Sequence, residues 1–311
     1  MPQENRGTVT GMARHSPAYW TACGQMFEGR CEDLLAAPPL IKLKGKIRLI
    51  FTSPPFPLNR KKRYGNLQGE DYVAWLSSLA PLLRDYLAAQ GSIVIELGNA
   101  WIPGSPTMST LPIKALLGFL EAGSLHLCEE FICFNPARLP SPAEWVTVRR
   151  ERVKDAFTRA WWMAPTEHPK ANNRRVLTPY SDSMRQLLLR GEYNAGLRPS
   201  EHNIREKTFL VDHGGAIPPN VLVVSNTRSN DPYLAFCRGH NMRPHPARMP
   251  EKIAEFFVRF LTEEGDLVMD PFAGSNVTGC VAERLKRKWL SIEAEPEYVL
   301  ASKARFAQGA L

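Results

Sequence analysis

An α/β fold with a largely parallel sheet is what this sequence predicts, and three observations carry it. Apolar runs of strand character alternate along the chain with amphipathic stretches at helical spacing. Between residues 267 and 293 a strand, a glycine turn, a helix and a second strand ending in an acid follow one another. Earlier, the apolar strand Ile47–Phe51 stops at Ser53-Pro54-Pro55-Phe56. Two consecutive prolines fix their own φ and push the preceding residue out of the helical region, so the exit is stiff and extended.

The elements are expected in this order. Residues 1–15 are polar, and Gly29 to Leu35 reads as a strand end turning into a short helix. After the strand at Ile47, a basic run Arg60-Lys61-Lys62-Arg63 stands directly behind the proline corner, where it suits a loop that touches phosphates. Glu70 to Ala89 has Val73, Leu76, Leu79, Leu83 and Leu87 at helical spacing, with a kink or break expected at Pro81 and an end at Gly91. Ser92–Gly98 is a buried strand, Leu111–Leu120 a helix closed by Gly123, and Leu127–Phe134 and Phe157–Met163 two more strands. From about Glu167 to Asn241 the chain turns polar and broken, which reads as an inserted, mostly irregular module where specificity is carried. Pro250–Leu261 is a helix striped by Ile253, Phe256, Phe257 and Phe260. Leu267–Asp270, Val277–Leu285 and Trp289–Glu293 then form a strand–helix–strand unit.

Two motifs carry chemistry. At the proline corner neither Pro54 nor Pro55 has an N–H, so their carbonyls stand free to accept, Ser53 adds a hydroxyl, and Phe56 adds a flat apolar face. That set suits a flat polar ligand. In the second, Asp270-Pro271-Phe272-Ala273-Gly274-Ser275 joins strand to helix, with Glu293 about 20 residues on, placed to accept from ribose hydroxyls. A dinucleotide fingerprint would need a second glycine where Asn276 stands, so the unit fits a nucleoside without phosphates.

Together, and in this order, the motifs resemble those of the DNA amino-methyltransferases of the permuted beta class, catalytic motif first and cofactor motif last. The resemblance extends through Asn135-Pro136, Glu144-Trp145, Trp161-Trp162, Ile217-Pro218-Pro219-Asn220 and His245-Pro246-Ala247-Arg248. It implies a Rossmann-like, circularly permuted sheet that binds S-adenosylmethionine. Residues 1–167 would form the catalytic half, 168–240 a target-recognition module and 241–311 the cofactor half. Ser53 and the Pro54 carbonyl, held by Pro55, would accept from the amino group of a base flipped out of duplex DNA, and Phe56 would stack on it. Asp270, Phe272, Gly274, Ser275, Glu293, His245, Pro246 and Gly29 would form the cofactor site. The family commonly has an acid directly after the glycine at Gly29; here Arg30 follows it, and Glu32 or Asp33 could substitute. Ser-Pro-Pro leans toward cytosine N4 over adenine N6. A non-catalytic DNA-binding protein and an RNA methyltransferase are the competing readings.

Composition agrees. A net charge of +8 favours an anionic partner, and Arg174 and Arg175 in the insert join the basic loop as candidate DNA contacts, with Arg149–Lys154 beside them. Six cysteines without a Cys-x-x-Cys pair give no metal site, and none lies beside the prolines to attack a ring carbon, which disfavours C5 methylation. No apolar run spans a membrane and the first 20 residues lack a signal-peptide core, so a cytoplasmic protein is expected. The helices favour neither monomer nor homodimer, and a cognate restriction endonuclease cannot be read from one chain.

Overall fold

The computed structural model describes residues 16–56, 67–193, 196–197, 199, 203–204, 209–225 and 231–306. In chain order these form β1 (Tyr19–Trp20), β2 (Gly24–Glu28), α1 (Cys31–Leu35), β3 (Ile47–Thr52), α2 (Gly69–Tyr86), β4 (Leu87–Gly98), α3 (Leu111–Gly123), β5 (His126–Phe134) and β6 (Phe157–Ala164). There follow α4 (Asp182–Arg190), a short ladder of β7 (Gly196–Leu197) and β8 (Asn203–Ile204), β9 (Val221–Val223) and α5 (Pro232–Gly239). The chain then closes with α6 (Glu251–Leu261), β10 (Leu267–Asp270), α7 (Val277–Arg284), β11 (Lys288–Glu293) and α8 (Pro296–Ser302).

Nine strands make one sheet in the order β1-β2-β11-β10-β3-β4-β6-β5-β9. The run from β2 to β4 is parallel, as expected, whereas β6 is antiparallel to both β4 and β5. The side-chain period of two sends alternate residues to opposite faces. Ile50 of β3 packs with Tyr72, Leu76 and Leu83 of α2, while its neighbours Leu49 and Phe51 pack with Ile253 and Phe257 of α6. Two separate cores therefore clamp the sheet. The β10–β3 crossover brings the first and last parts of the chain together at the C-terminal ends of the parallel strands. Open α/β sheets bind ligands at that edge.

Several expectations are corrected. No break occurs at Pro81: α2 is continuous through it, losing the one ladder bond that a proline cannot donate. The helix ends at Tyr86, and Gly91 is no helix stop but lies inside β4, where a Cβ would come 2.8 Å from the Ile47 carbonyl oxygen. At the end of α3, Gly123 stays helical and Ser124 takes the left-handed turn, at φ 46. The stretch 168–240 is mostly irregular, as expected, yet two of its elements are built into the rest of the fold. β9 extends the main sheet along β5, and α5 starts at an Asp231 cap whose carboxylate accepts from Tyr233 N at 2.9 Å. Among the described residues no helix is long and apolar enough to cross a membrane.

Candidate active site

Both sequence motifs emerge at the same edge, because β3 and β10 are neighbours. Thr52, the last residue of β3, donates to Asp270 Oδ1 at 2.7 Å. Thr278 Oγ1 donates to Asp270 Oδ2 at 2.6 Å and Phe272 N to Oδ1 at 3.1 Å. Asp270, expected at the cofactor site, lines a small hollow with Ser53, His245, Gly274 and Ser275, and its oxygens tie together the ends of two strands and the start of α7. Burial pushes its carboxyl up to about 6, against the pull of those three donors.

Beyond Asp270 the chain turns on two left-handed residues, Gly274 at φ 51 and Asn276 at φ 54. Asparagine tolerates that conformation better than most side chains, and here its side chain is fully used. Asn276 Oδ1 accepts from Gly279 N at 3.1 Å and Ser291 Oγ at 2.7 Å, while Nδ2 donates to the Tyr19 hydroxyl at 2.9 Å. The position that looks like a degraded dinucleotide glycine is thus the cap that starts α7. Ser275 is held from behind: the buried Arg305 donates to its carbonyl at 2.6 Å and its hydroxyl at 3.2 Å, and is itself fixed by Asp231 at 3.0 and 2.9 Å.

Between the two motifs lies a cleft of about 320 Å³. Its walls include Gly29, Glu32, Ser53 to Phe56, Trp75, His245, Phe272, Glu293 and Tyr298. Glu293 ends β11, and its carboxylate accepts from Gly274 N at 2.7 Å and from Glu295 N at 2.9 Å. Burial raises its pKa, opposed by those backbone donors. The His245 ring covers Gly274, where a Cβ would come within 3.2 Å of it, and meets Tyr298 edge to face at 4.7 Å. Pro246, expected beside it, is exposed and does not line the cleft. Glu32 also faces the cleft, its Oε1 accepting from Trp75 Nε1 at 2.9 Å, whereas Asp33 does not line it. Aromatic walls, two carboxylates and a backbone turn with no room for a side chain suit a nucleoside with ribose hydroxyls.

At the other wall Ser53 Oγ donates to Glu96 Oε2 at 2.7 Å. Glu96 projects from β4, next to β3 in the sheet, and burial raises its pKa against hydrogen bonds from Thr158 and Ser53 and the charge of Arg138. Sequence reasoning missed this residue. Its signal was one acid in the apolar strand Ser92-Ile93-Val94-Ile95-Glu96-Leu97, since buried acids are rare without a partner. Phe56 packs its ring on Gly98, where an added Cβ would come 2.7 Å from it. Gly98→Ala must therefore displace the ring; the expected outcome is a several-fold rise in KM for the polymer substrate at unchanged Tm, and an unchanged KM would refute the platform role of Phe56.

Among the basic candidates, Arg60, Lys61, Lys62 and Arg63 lie outside the described residues. Arg174 is exposed. Arg175 is engaged within the protein, donating to the Thr262 carbonyl at 2.8 Å beside Glu263 at 3.5 Å, so it serves to anchor the insert on α6.

Comparison with known proteins accords with this geometry. A family model described as DNA methylase, of N6 and N4 type, matches residues 47–304. The type II methyltransferase M.PvuII of Proteus hauseri is 47% identical over 292 residues, covering 93% of this chain and 85% of that one. M.BglII of Bacillus subtilis is 44% identical over 253 residues, covering 81% of this chain and 61% of that one. Among solved structures, a PvuII DNA methyltransferase described as cytosine-N4-specific superposes with a TM-score of 0.76 at 40% identity, covering 96% of this chain and 92% of that one. The M1.HpyAVI–SAM complex superposes at 0.53 with 17% identity over 91% of this chain and 99% of that one, a likeness of fold.

Proposed function

The chain belongs to the DNA methylase family of N6 and N4 amino-methyltransferases, and we propose that the group it methylates is the N4 amino of cytosine. It is an S-adenosylmethionine-dependent enzyme that acts on the exocyclic amino group of a base in duplex DNA. Cytosine is favoured by Ser53 at the head of the Pro-Pro corner and by the cytosine-N4 description of the structure that superposes at 0.76. Adenine N6 is the second reading, since the family contains both. Nuclease digestion of methylated DNA and identification of the modified nucleoside decides between them; methyladenine without methylcytosine would overturn the proposal.

The single observation that carries the mechanism is the Ser53–Glu96 hydrogen bond. Ser53 spends its proton on Glu96, so its oxygen lone pairs point away from the carboxylate and can accept from an amino N–H. The Pro54 carbonyl would accept the second N–H, and Phe56 would stack on the base, worth about 1–3 kcal/mol against the few kcal/mol needed for extrusion. Two acceptors favour a pyramidal nitrogen with its lone pair turned toward the cofactor, which supplies an electrophilic methyl group on a sulfonium. After transfer the nitrogen carries an extra proton. Ser53 would take that proton as it passes its own to Glu96, and the carboxyl would release it to solvent.

For the cofactor, Glu293 would accept from the ribose hydroxyls with the lone pairs left by Gly274 N and Glu295 N, and Glu32 would serve in place of the acid that Arg30 displaces. His245 and Phe272 would wall the pocket, while Asp270 and Ser275 would act from behind it. Glu293→Ala is expected to raise the S-adenosylmethionine dissociation constant about tenfold or more, the loss of charge-assisted hydrogen bonds worth roughly 1.5–3 kcal/mol; titration calorimetry giving an unchanged constant would refute the ribose role. Target reading is proposed for 168–240, with phosphate contacts from Arg174 and the Arg60–Arg63 run. A DNA substrate implies the cytoplasm. The type II relatives suggest pairing with an endonuclease of the same site, and either a monomer or a homodimer would serve.

A further inference from the structure

Residues 135–156 link β5 to β6 at the same edge as Ser53, since Phe134 pairs with Phe157 and Thr158 with Gly98. This loop is braced throughout. Lys154 Nζ donates to the carbonyls of Pro136 and Arg138 at 2.8 and 3.3 Å, and Asp155 N to the Ser141 carbonyl at 2.9 Å. Arg138 donates to the Phe157 carbonyl at 3.0 Å, and Asn99 Nδ2 to Asp155 Oδ1 at 2.8 Å. The runs 136–141 and 153–155 therefore lie alongside each other, and each turns an apolar side chain to water: Leu139 is 81% exposed and Val153 88%.

One exposed apolar residue is ordinary. Here two are displayed on neighbouring runs of a frame stiffened by Pro136, Pro140 and Pro142, in a loop whose Arg150 is exposed, while Arg149 pairs with Glu144 at 2.9 Å, Arg152 donates to the Pro106 and Glu151 carbonyls, and Lys154 serves the brace. The loop carries five cations against three acids. Its root also reaches the catalytic wall, because the Arg138 charge acts on Glu96, the partner of Ser53. A base drawn out of a duplex leaves a gap in the stack, and apolar wedges between base steps together with cations on phosphates are how proteins hold such a deformation.

We propose that Leu139 and Val153 enter the duplex at the target pair and fill the space of the extruded base, with the exposed Arg150 seated on a flanking phosphate. The proposal rests on the reading of the protein as a base-extruding DNA methyltransferase. Rigidity is part of it: a pre-built edge loses little conformational entropy on insertion.

The test compares wild type with the Leu139→Ala/Val153→Ala double variant on a duplex that holds the methylated site and carries 2-aminopurine beside the target base. Extrusion reported by fluorescence should weaken about tenfold, equivalent to roughly 1.4 kcal/mol, with kcat/KM for DNA falling in parallel. Tm and the S-adenosylmethionine dissociation constant should not move. On a duplex mismatched at the target, where unpairing is already cheap, the variant should regain the wild-type rate. Undiminished extrusion in the variant overturns the proposal, as does a defect that the mismatch fails to relieve. A shift from dimer to monomer in sedimentation with extrusion intact also overturns it, assigning the edge to a second copy. If wild type methylates no duplex at all, the underlying reading falls with it.

Discussion

Ser53→Ala is expected to lower kcat for DNA methylation by two to three orders of magnitude, about 2.7–4 kcal/mol, the usual cost of deleting one preorganised partner of the reacting group. Cofactor affinity should be unchanged, because the Ser53 hydroxyl is engaged by Glu96 at 2.7 Å rather than by the nucleoside side of the cleft. Glu96→Gln tests the other half of the pair. Glutamine keeps an oxygen for Ser53 but cannot take its proton, so kcat should fall about a hundredfold, within the range for a lost general base. The pH profile separates orientation from proton transfer. Burial raises the Glu96 pKa, so the protonated, inactive form persists to higher pH than for an ordinary carboxyl. Wild-type kcat is therefore expected to be full above that raised pKa and to decline as pH falls through it, and Glu96→Gln should lack this acid limb. Because the two groups act as a unit, the double variant should be little worse than Ser53→Ala alone. Additive losses, or an acid limb that survives in Glu96→Gln, would sink the relay.

The legibility of this site followed the physics of each part. Ser53-Pro54-Pro55-Phe56 and Gly274 could be read because prolines and glycines impose backbone geometry locally. Strands such as Leu267–Asp270 were readable because both flanks carry turn residues. Glu96 was not, since its meaning depends on β3 lying beside β4, a contact that no local pattern encodes. For Asp270 and Ser275 the motif marked the place, a hollow they line with Ser53 and His245, but not the bonds to Thr52, Thr278 and Arg305 that hold them there. A motif marks which residues matter, and only the fold tells whether a side chain faces the ligand or the loop that holds it. The antiparallel β6 was hidden for the same reason: strand direction is a property of pairing, and Phe157–Ala164 reads the same in either sense. The helix α5 had a local signal in Asp231-Pro232, a cap followed by a proline at the first helical position, masked by the polarity around it.

Asp270→Asn is expected to leave the loop geometry intact and to change how stability depends on pH. The side chain sits between three donors, Thr52 Oγ1, Thr278 Oγ1 and Phe272 N. Asparagine can keep its oxygen toward Thr52 and Phe272 N and turn its amide on Thr278, whose hydroxyl rotates to accept. The wild-type carboxyl rises from an ordinary 3.8 to about 6 on folding, so the native state holds its proton more tightly than the unfolded chain. Its contribution is complete below about pH 4, fades as pH rises through 6, and is absent at neutral pH; the linked loss comes to roughly 3 kcal/mol. Urea denaturation across pH 4 to 7.5 should therefore show the stability of Asp270→Asn gaining on wild type by about that amount as pH rises. A difference that stays flat with pH would remove the raised pKa. Asp270→Ala separates charge from scaffolding: it strands three buried donors, each costing about 1–3 kcal/mol, and should lower stability at every pH. Since Phe272 N, at the head of the turn that leads to Gly274, is held by this one carboxylate, cofactor affinity should survive Asp270→Asn and collapse in Asp270→Ala. Equal affinities in the two variants would mean that the loop keeps its shape without Asp270.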